Sequence, residues 1–151
     1  IQPNGILCGC GGRGCWERYG SATALIQLAQ LEMERDRESK MWELCDGDSY
    51  KVQGRTPFQA ARLGDAAAKR VLSNYLQGLS IGMINLVNIL QPEIICLGGG
   101  VSNAEDDLLL DPLRELVWRG SFDKSHHTRI EKASLGNDAG VVGAALLCNL
   151  V

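Results

Sequence analysis

The stretch Gln91-Pro92-Glu93-Ile94-Ile95-Cys96-Leu97-Gly98-Gly99-Gly100 decides the class of this fold. Pro92 ends whatever helix precedes it, since proline lacks an amide hydrogen and pushes its predecessor away from helical geometry. Glu93 to Leu97 then reads as a short, continuously apolar strand, the pattern of a strand buried on both faces of a parallel sheet. It runs straight into three glycines, Gly98, Gly99 and Gly100, at the carboxyl edge where parallel α/β sheets bind ligands. Without Cβ atoms their amides can approach a phosphate or an adenosine closely, although a tight turn would use the same residues.

Working outward, Thr56 followed by Pro57 is a capped helix start, and Gly64 closes that short helix. Asp65 caps a longer helix that runs through Ala66, Leu72, Tyr75, Leu76, Leu79 and Leu90 to Gln91. Gly78 and Gly82 lie on one face of it, a spacing that suits close packing against a neighbouring element. Nearer the start, Trp16 to Ser39 is helical in pattern, with Ala24, Leu25, Leu28, Ala29 and Leu31 on one face and a solvated charged end. Beyond the glycines the chain is polar and acidic through Asp107. Pro112 then opens a helix, a strand is expected near Arg129 to Ala133, and Gly136 to Gly140 turns into an apolar helix from about Val141 to Leu150. Helices, strand, helix, strand, helix is an α/β order.

The 151 residues are 45% hydrophobic and 22% charged, ordinary for one globular domain. Lys and Arg total 15 against 18 Asp and Glu, with no basic cluster, so binding a nucleic-acid backbone is not expected of this segment. The longest apolar runs are broken by Gly82, Asn85 and Asn88, so no membrane span is expected, and the opening residues show no basic n-region with a small-residue cleavage site, which gives no reason to expect export. A cytoplasmic setting follows as the expectation. The opening Ile1-Gln2-Pro3 has no Met and reads as the continuation of something longer.

Of the 6 cysteines, Cys8, Cys10 and Cys15 crowd into a loop with Gly5, Gly9, Gly11, Gly12 and Gly14, while Cys45, Cys96 and Cys148 read as packing thiols. Sulfurs on a tetrahedral zinc ion stand about 3.8 Å apart, which closely spaced cysteines reach only on a curled backbone. Interleaved glycines supply the required positive φ angles. Three sulfurs leave a fourth ligand to be found; His126 and His127, far along the chain, are more natural as solvated loop residues.

The run Cys8-Gly9-Cys10-Gly11-Gly12-Arg13-Gly14-Cys15-Trp16-Glu17 resembles the Cys-x-Cys-Gly-x-x-Gly-Cys-x-Glu signature of the ROK family of repressors, open reading frames and sugar kinases. The likeness continues through Glu17 to Leu25, Gln91 to Val101 and Leu135 to Ala145. It implies an actin-like, ribonuclease H-like ATPase fold, with residues 1–151 as the carboxyl-terminal domain. It further implies ATP-dependent phosphorylation of glucose at the 6-hydroxyl, with Mg²⁺, and a homodimer associating through this half. By the same resemblance Cys8, Cys10 and Cys15 hold a structural zinc ion, whose histidine ligand and the catalytic aspartate would precede Ile1. Glu17 matches the family's hexose-binding glutamate, and Gly98, Gly99 and Gly100 its adenosine loop. Glu17 also suits the first turn of a helix as a plain acid, and Asn137 and Asp138 suit capping as well as ligand contact. A sugar-responsive repressor domain, or a kinase for another hexose, is the alternative.

Overall fold

The computed structural model describes residues 1–122 and 127–147. Its elements run α1 (Glu17–Gly20), α2 (Ala22–Arg35), α3 (Met41–Leu44), α4 (Thr56–Arg62), α5 (Ala66–Leu90), β1 (Ile94–Leu97), α6 (Leu110–Gly120), β2 (Arg129–Lys132) and α7 (Ala139–Leu147), with short 3-10 turns between. None of the described helices is long and apolar enough to cross a membrane.

α5 is the axle. Asp65 starts it, accepting the Ala68 amide at 3.0 Å, the Ser39 hydroxyl at 2.7 Å and the Lys40 amide at 2.5 Å. Burial pushes this carboxyl up, but the Ser39 hydroxyl and the backbone amides outweigh it, so the group sits below the ordinary carboxylate value. At the far end Gln91 turns left-handed, with φ 45°, ahead of Pro92. Around this helix α1, α2, α4 and α6 are packed, and Leu25, Met33, Met83, Leu113 and Val117 form the dry interior.

Both small residues expected to allow close packing do so. A Cβ on Gly78 would lie 2.9 Å from the Tyr19 Cβ and carbonyl oxygen, and one on Gly82 would lie 2.0 Å from the Trp16 indole. The α1 helix is therefore seated directly on the α5 backbone. On the other side, Gly120 admits Ile84 in the same manner.

Several boundaries and faces differ from expectation. The helix expected over Trp16 to Ser39 breaks at Ser21, whose hydroxyl caps α2 by accepting the Ala24 amide at 3.0 Å. That phase places Leu25, Ala29 and Met33 inward and leaves Leu31 52% exposed. Thr56 is the first residue of α4, and its hydroxyl accepts the Gln53 amide at 3.1 Å, closing the preceding turn.

β1 and β2 pair in parallel, Ile94 opposite Arg129 through Leu97 opposite Lys132, with α6 as the crossover. The expectation of burial on both faces fails here. Ile95 and Leu97 lie half-buried against the helices, whereas Ile94 and Cys96 are exposed, because among the described residues the sheet has two strands and helices on one side. Cys96 is thus a surface thiol and not a packing one; Cys45, by contrast, is buried. α7 follows a turn at Gly136, φ 51°, and although it is apolar none of its residues is buried. The expected reach of that helix to Leu150, and Cys148 with it, lies outside the described residues.

Candidate functional site

The glycine-rich segment folds as a curled hairpin. Leu7 bridges Arg13 in antiparallel fashion, the Cys8 amide donates to the Gly12 carbonyl at 2.8 Å, and the Gly11 amide returns to the Cys8 carbonyl at 3.0 Å. Gly11 and Gly14 adopt φ of 86° and 71°. At Gly14 a side chain is doubly excluded, since its Cβ would fall 1.7 Å from the Gln2 carbonyl oxygen. Tyr19 reaches back from α1 to accept the Ile6 amide at 3.0 Å, tying the hairpin to the helix.

This curl gathers the Sγ atoms of Cys8, Cys10 and Cys15 within 4.8 Å of one another, with Cys10 and Cys15 at 3.5 Å. Spacing of that order is what a tetrahedral thiolate site requires, so the donor set fits a zinc ion. Among the described residues no fourth Cys, His, Asp or Glu joins the group; His127 is exposed elsewhere and His126 lies outside the described residues. The thiols are not equivalent. The Gly12 backbone, with help from the neighbouring thiols, pulls Cys10 below the ordinary thiol value, while the same thiol contacts push Cys15 up to about 11.

Glu17 follows in the first turn of α1, and both of its oxygens are engaged. Oε2 faces the Cys8 sulfur at 3.6 Å, and Oε1 accepts the Ser21 hydroxyl at 3.3 Å. That hydroxyl is the one capping α2, so one side chain sets both the helix start and the acid. Glu17 remains exposed, so its carboxylate is open to solvent. The orientation has its origin in the seam below: Trp16 is wedged on Gly82, and its buried Nε1 makes no hydrogen bond, so shape alone holds it.

The three glycines after β1 are held from behind. The Ser102 hydroxyl donates to the Gly99 carbonyl at 2.7 Å, and Gly99 takes φ 78°, so glycine is required there for conformation. Gly100 has no such need: the place of its Cβ has nothing within 4 Å, and at Gly98 only the Ala133 Cβ approaches, at 3.7 Å. Packing among the described residues therefore does not explain why side chains are missing at Gly98 and Gly100. Together with Val101 and Ser102 the glycines line a cleft of 210 Å³ whose other wall is Gly20, Ser21 and Ala22. Tyr75, its hydroxyl pushed up to about 12 by burial, supports that wall by donating to the Gly20 carbonyl at 3.1 Å. The elements carrying Glu17 and the triple glycine thus converge on one cleft.

Sequence reasoning overlooked two features here. Arg55, Phe58 and Arg62 of α4 and its approach form, with Gly100 and Val101, a second hollow of 180 Å³ behind the glycine loop. Their distance in sequence hides this proximity. The acidic run was given no partners from sequence, yet Glu105 and Asp107 both pair with Arg62, and Asp106 pairs with Lys132 at 2.5 Å. These pairs strap the glycine loop to α4 and β2. Trp42 donates to the Met33 and Asp36 carbonyls at 3.0 and 3.2 Å and is used internally.

The profile of the ROK family matches residues 1–150. The chain belongs to the ROK family. Among its ROK relatives, glucokinase of Streptomyces coelicolor is 36% identical over 155 residues, covering 96% of this chain and 47% of that protein. The DNA-binding transcriptional repressor Mlc of Escherichia coli is 30% identical over 152 residues, covering 97% of this chain and 35% of that protein. Among solved structures, a ROK family glucokinase from Streptomyces griseus in complex with glucose and AMPPNP superimposes with a TM-score of 0.87 at 34% identity, over 97% of this chain and 48% of that one. The fold is that of the ROK kinases, an actin-like ATPase fold, and the chain spans about half the length of the glucokinases it matches.

Proposed function

We propose that the intact protein is a cytoplasmic, ATP-dependent hexokinase that phosphorylates glucose at its 6-hydroxyl, with residues 1–151 as its carboxyl-terminal domain. Glu17 accepts hydrogen bonds from the hexose hydroxyls, a task suited to a carboxylate that offers several lone pairs at once. Gly98, Gly99 and Gly100 receive ATP against bare backbone. Cys8, Cys10 and Cys15 hold zinc, which when bound cross-links the hairpin. The single observation that carries the reading is the double anchoring of Glu17, to the Cys8 sulfur at 3.6 Å and at 3.3 Å to the hydroxyl of Ser21, a residue that lines the same cleft as the triple glycine.

In this reading the chain orients the sugar and receives the nucleotide, while the aspartate base that activates the 6-hydroxyl, and the Mg²⁺ contacts, come from the other half. Closure of the two halves excludes water. Residues 1–151 alone are then expected to show no glucose turnover above background. Self-association as a homodimer belongs to the same proposal and is read by sedimentation.

The test is glucose-dependent ADP release by the full-length protein, with metal content measured on the same sample. Zinc near one per chain and turnover with glucose are expected. Replacing Glu17 by Gln should lower kcat/KM for glucose about 10- to 100-fold with the melting temperature retained, the loss of a charge-assisted hydrogen bond. Turnover with fructose or N-acetylmannosamine instead would move the substrate. Absence of all sugar turnover, with sugar-dependent release from DNA, would place the protein with its repressor relatives.

A further inference from the structure

We propose that Cys10 and Cys15 are an oxidation site: hydrogen peroxide joins them in a reversible disulfide, and the hairpin then releases its metal. The pairing stands on the geometry of the loop, whereas the release rests in addition on the zinc reading above.

The two sulfurs lie 3.5 Å apart. A disulfide needs about 2.05 Å, so they must approach by only about 1.5 Å. The residues between them are Gly11, Gly12, Arg13 and Gly14, so most of the intervening backbone carries no side chain to obstruct that movement. Gly12 lies under both sulfurs, with its Cβ position 3.5 Å from each. Cys10 is exposed, so a dissolved oxidant reaches it first. Cys8 is the thiol left over, because its sulfur faces the Glu17 carboxylate at 3.6 Å. Cys45 is buried in the helical core and Cys96 lies on the outer face of β1, so neither competes.

The chemistry balances with peroxide as the named oxidant. The Cys10 sulfur attacks the peroxide O–O bond, which breaks to give a sulfenic acid and one water. The Cys15 sulfur then attacks the Cys10 sulfur; the S–S bond forms, the S–O bond breaks and hydroxide leaves, protonated as a second water. Two thiols and one peroxide become one disulfide and two waters. If the sulfurs begin as metal-bound thiolates, solvent supplies the two protons. A divalent ion is left with Cys8 as its remaining sulfur from this loop, and a thiol reductant reverses the step.

The experiment treats full-length protein of measured zinc content with hydrogen peroxide, alkylates the remaining thiols, digests with trypsin and follows zinc with a chromogenic chelator. Cleavage after Arg13 and Arg18 separates Cys10 from Cys15, so the expected product joins the peptide ending at Arg13 to Gly14–Arg18, with the alkyl label on Cys8. Zinc should appear on the same time course, about 10-fold faster than without peroxide, and dithiothreitol should dissolve the link. A bond that includes Cys8, or a sulfonic acid on Cys10 with no link, overturns the pairing whatever the metal content. Zinc retained after the link has formed overturns the release. Protein that carries no zinc before treatment sinks both the metal reading and the release, while the peptide masses still decide the pairing.

Discussion

The seam between α1 and α5 has no room for one further carbon atom, whereas the outer face of β1 and the whole of α7 lie open. At the seam, the Gly82 backbone lies against the Trp16 indole and Gly78 against Tyr19. On the open side Ile94, Cys96, Val141, Leu146 and Leu147 are exposed although all are apolar or nearly so. Both regions obey the same packing physics. The difference is that the seam is completed by residues of this chain, while the open side holds apolar surface of a kind that ordinarily finds a cover. The tight region bears the thiol hairpin and Glu17, so the proposed sugar-binding acid stands on the most closely packed part of the molecule.

The strongest way to break this contrast is Gly82→Ala. The added methyl would enter the indole, and overpacking of this kind should cost about 3 kcal/mol in chemical denaturation, with a shift in tryptophan emission as Trp16 is displaced. A cost near zero would mean that the seam is loose. Asp65→Ala comes next. It removes the α5 cap and leaves the buried Ser39 hydroxyl without its acceptor, for an expected loss of about 2 kcal/mol in the same measurement.

The acid carries a signature in pH as well. Its folded value lies below the unfolded one, so the stabilisation is complete above about pH 4 and disappears as pH falls through the depressed folded value. Denaturation midpoints between pH 5 and 2 should therefore fall less steeply in Asp65→Asn than in the parent protein. The smallest effect belongs to the straps around the glycine loop. Arg62→Ala removes the pairs to Glu105 and Asp107, both solvent-exposed, and should shift the denaturation midpoint least of the four substitutions, less still in high salt.

What could be read in advance follows the same division. The hairpin, the α5 cap at Asp65, its stop at Gln91 and the role of Gly78 and Gly82 were legible because each is set by neighbours along the chain or by a residue with one conformational purpose. The closeness of the three sulfurs, within 4.8 Å of one another, was legible for the same reason. Burial of β1 was misread, since an apolar run reports what a strand can bury and not whether its second face is covered. Leu31 was misassigned because Ser21 resets the helical phase. The pairs made by Glu105, Asp106 and Asp107, and the hollow beside Phe58, depend on partners far away in sequence, and no local pattern announces them.

The length of α5 has a mechanical consequence. Its 25 residues make a rod of about 38 Å, with Trp16 resting against it at Gly82 and the strand that feeds the triple glycine attached beyond Gln91. From that resting point to the end of the rod is about 12 Å, so a tilt of about 5° moves the tip by about 1 Å. One continuous rod therefore spans from the indole contact to the strand that feeds the glycine loop, and its tilt about that contact sets how far apart the two stand.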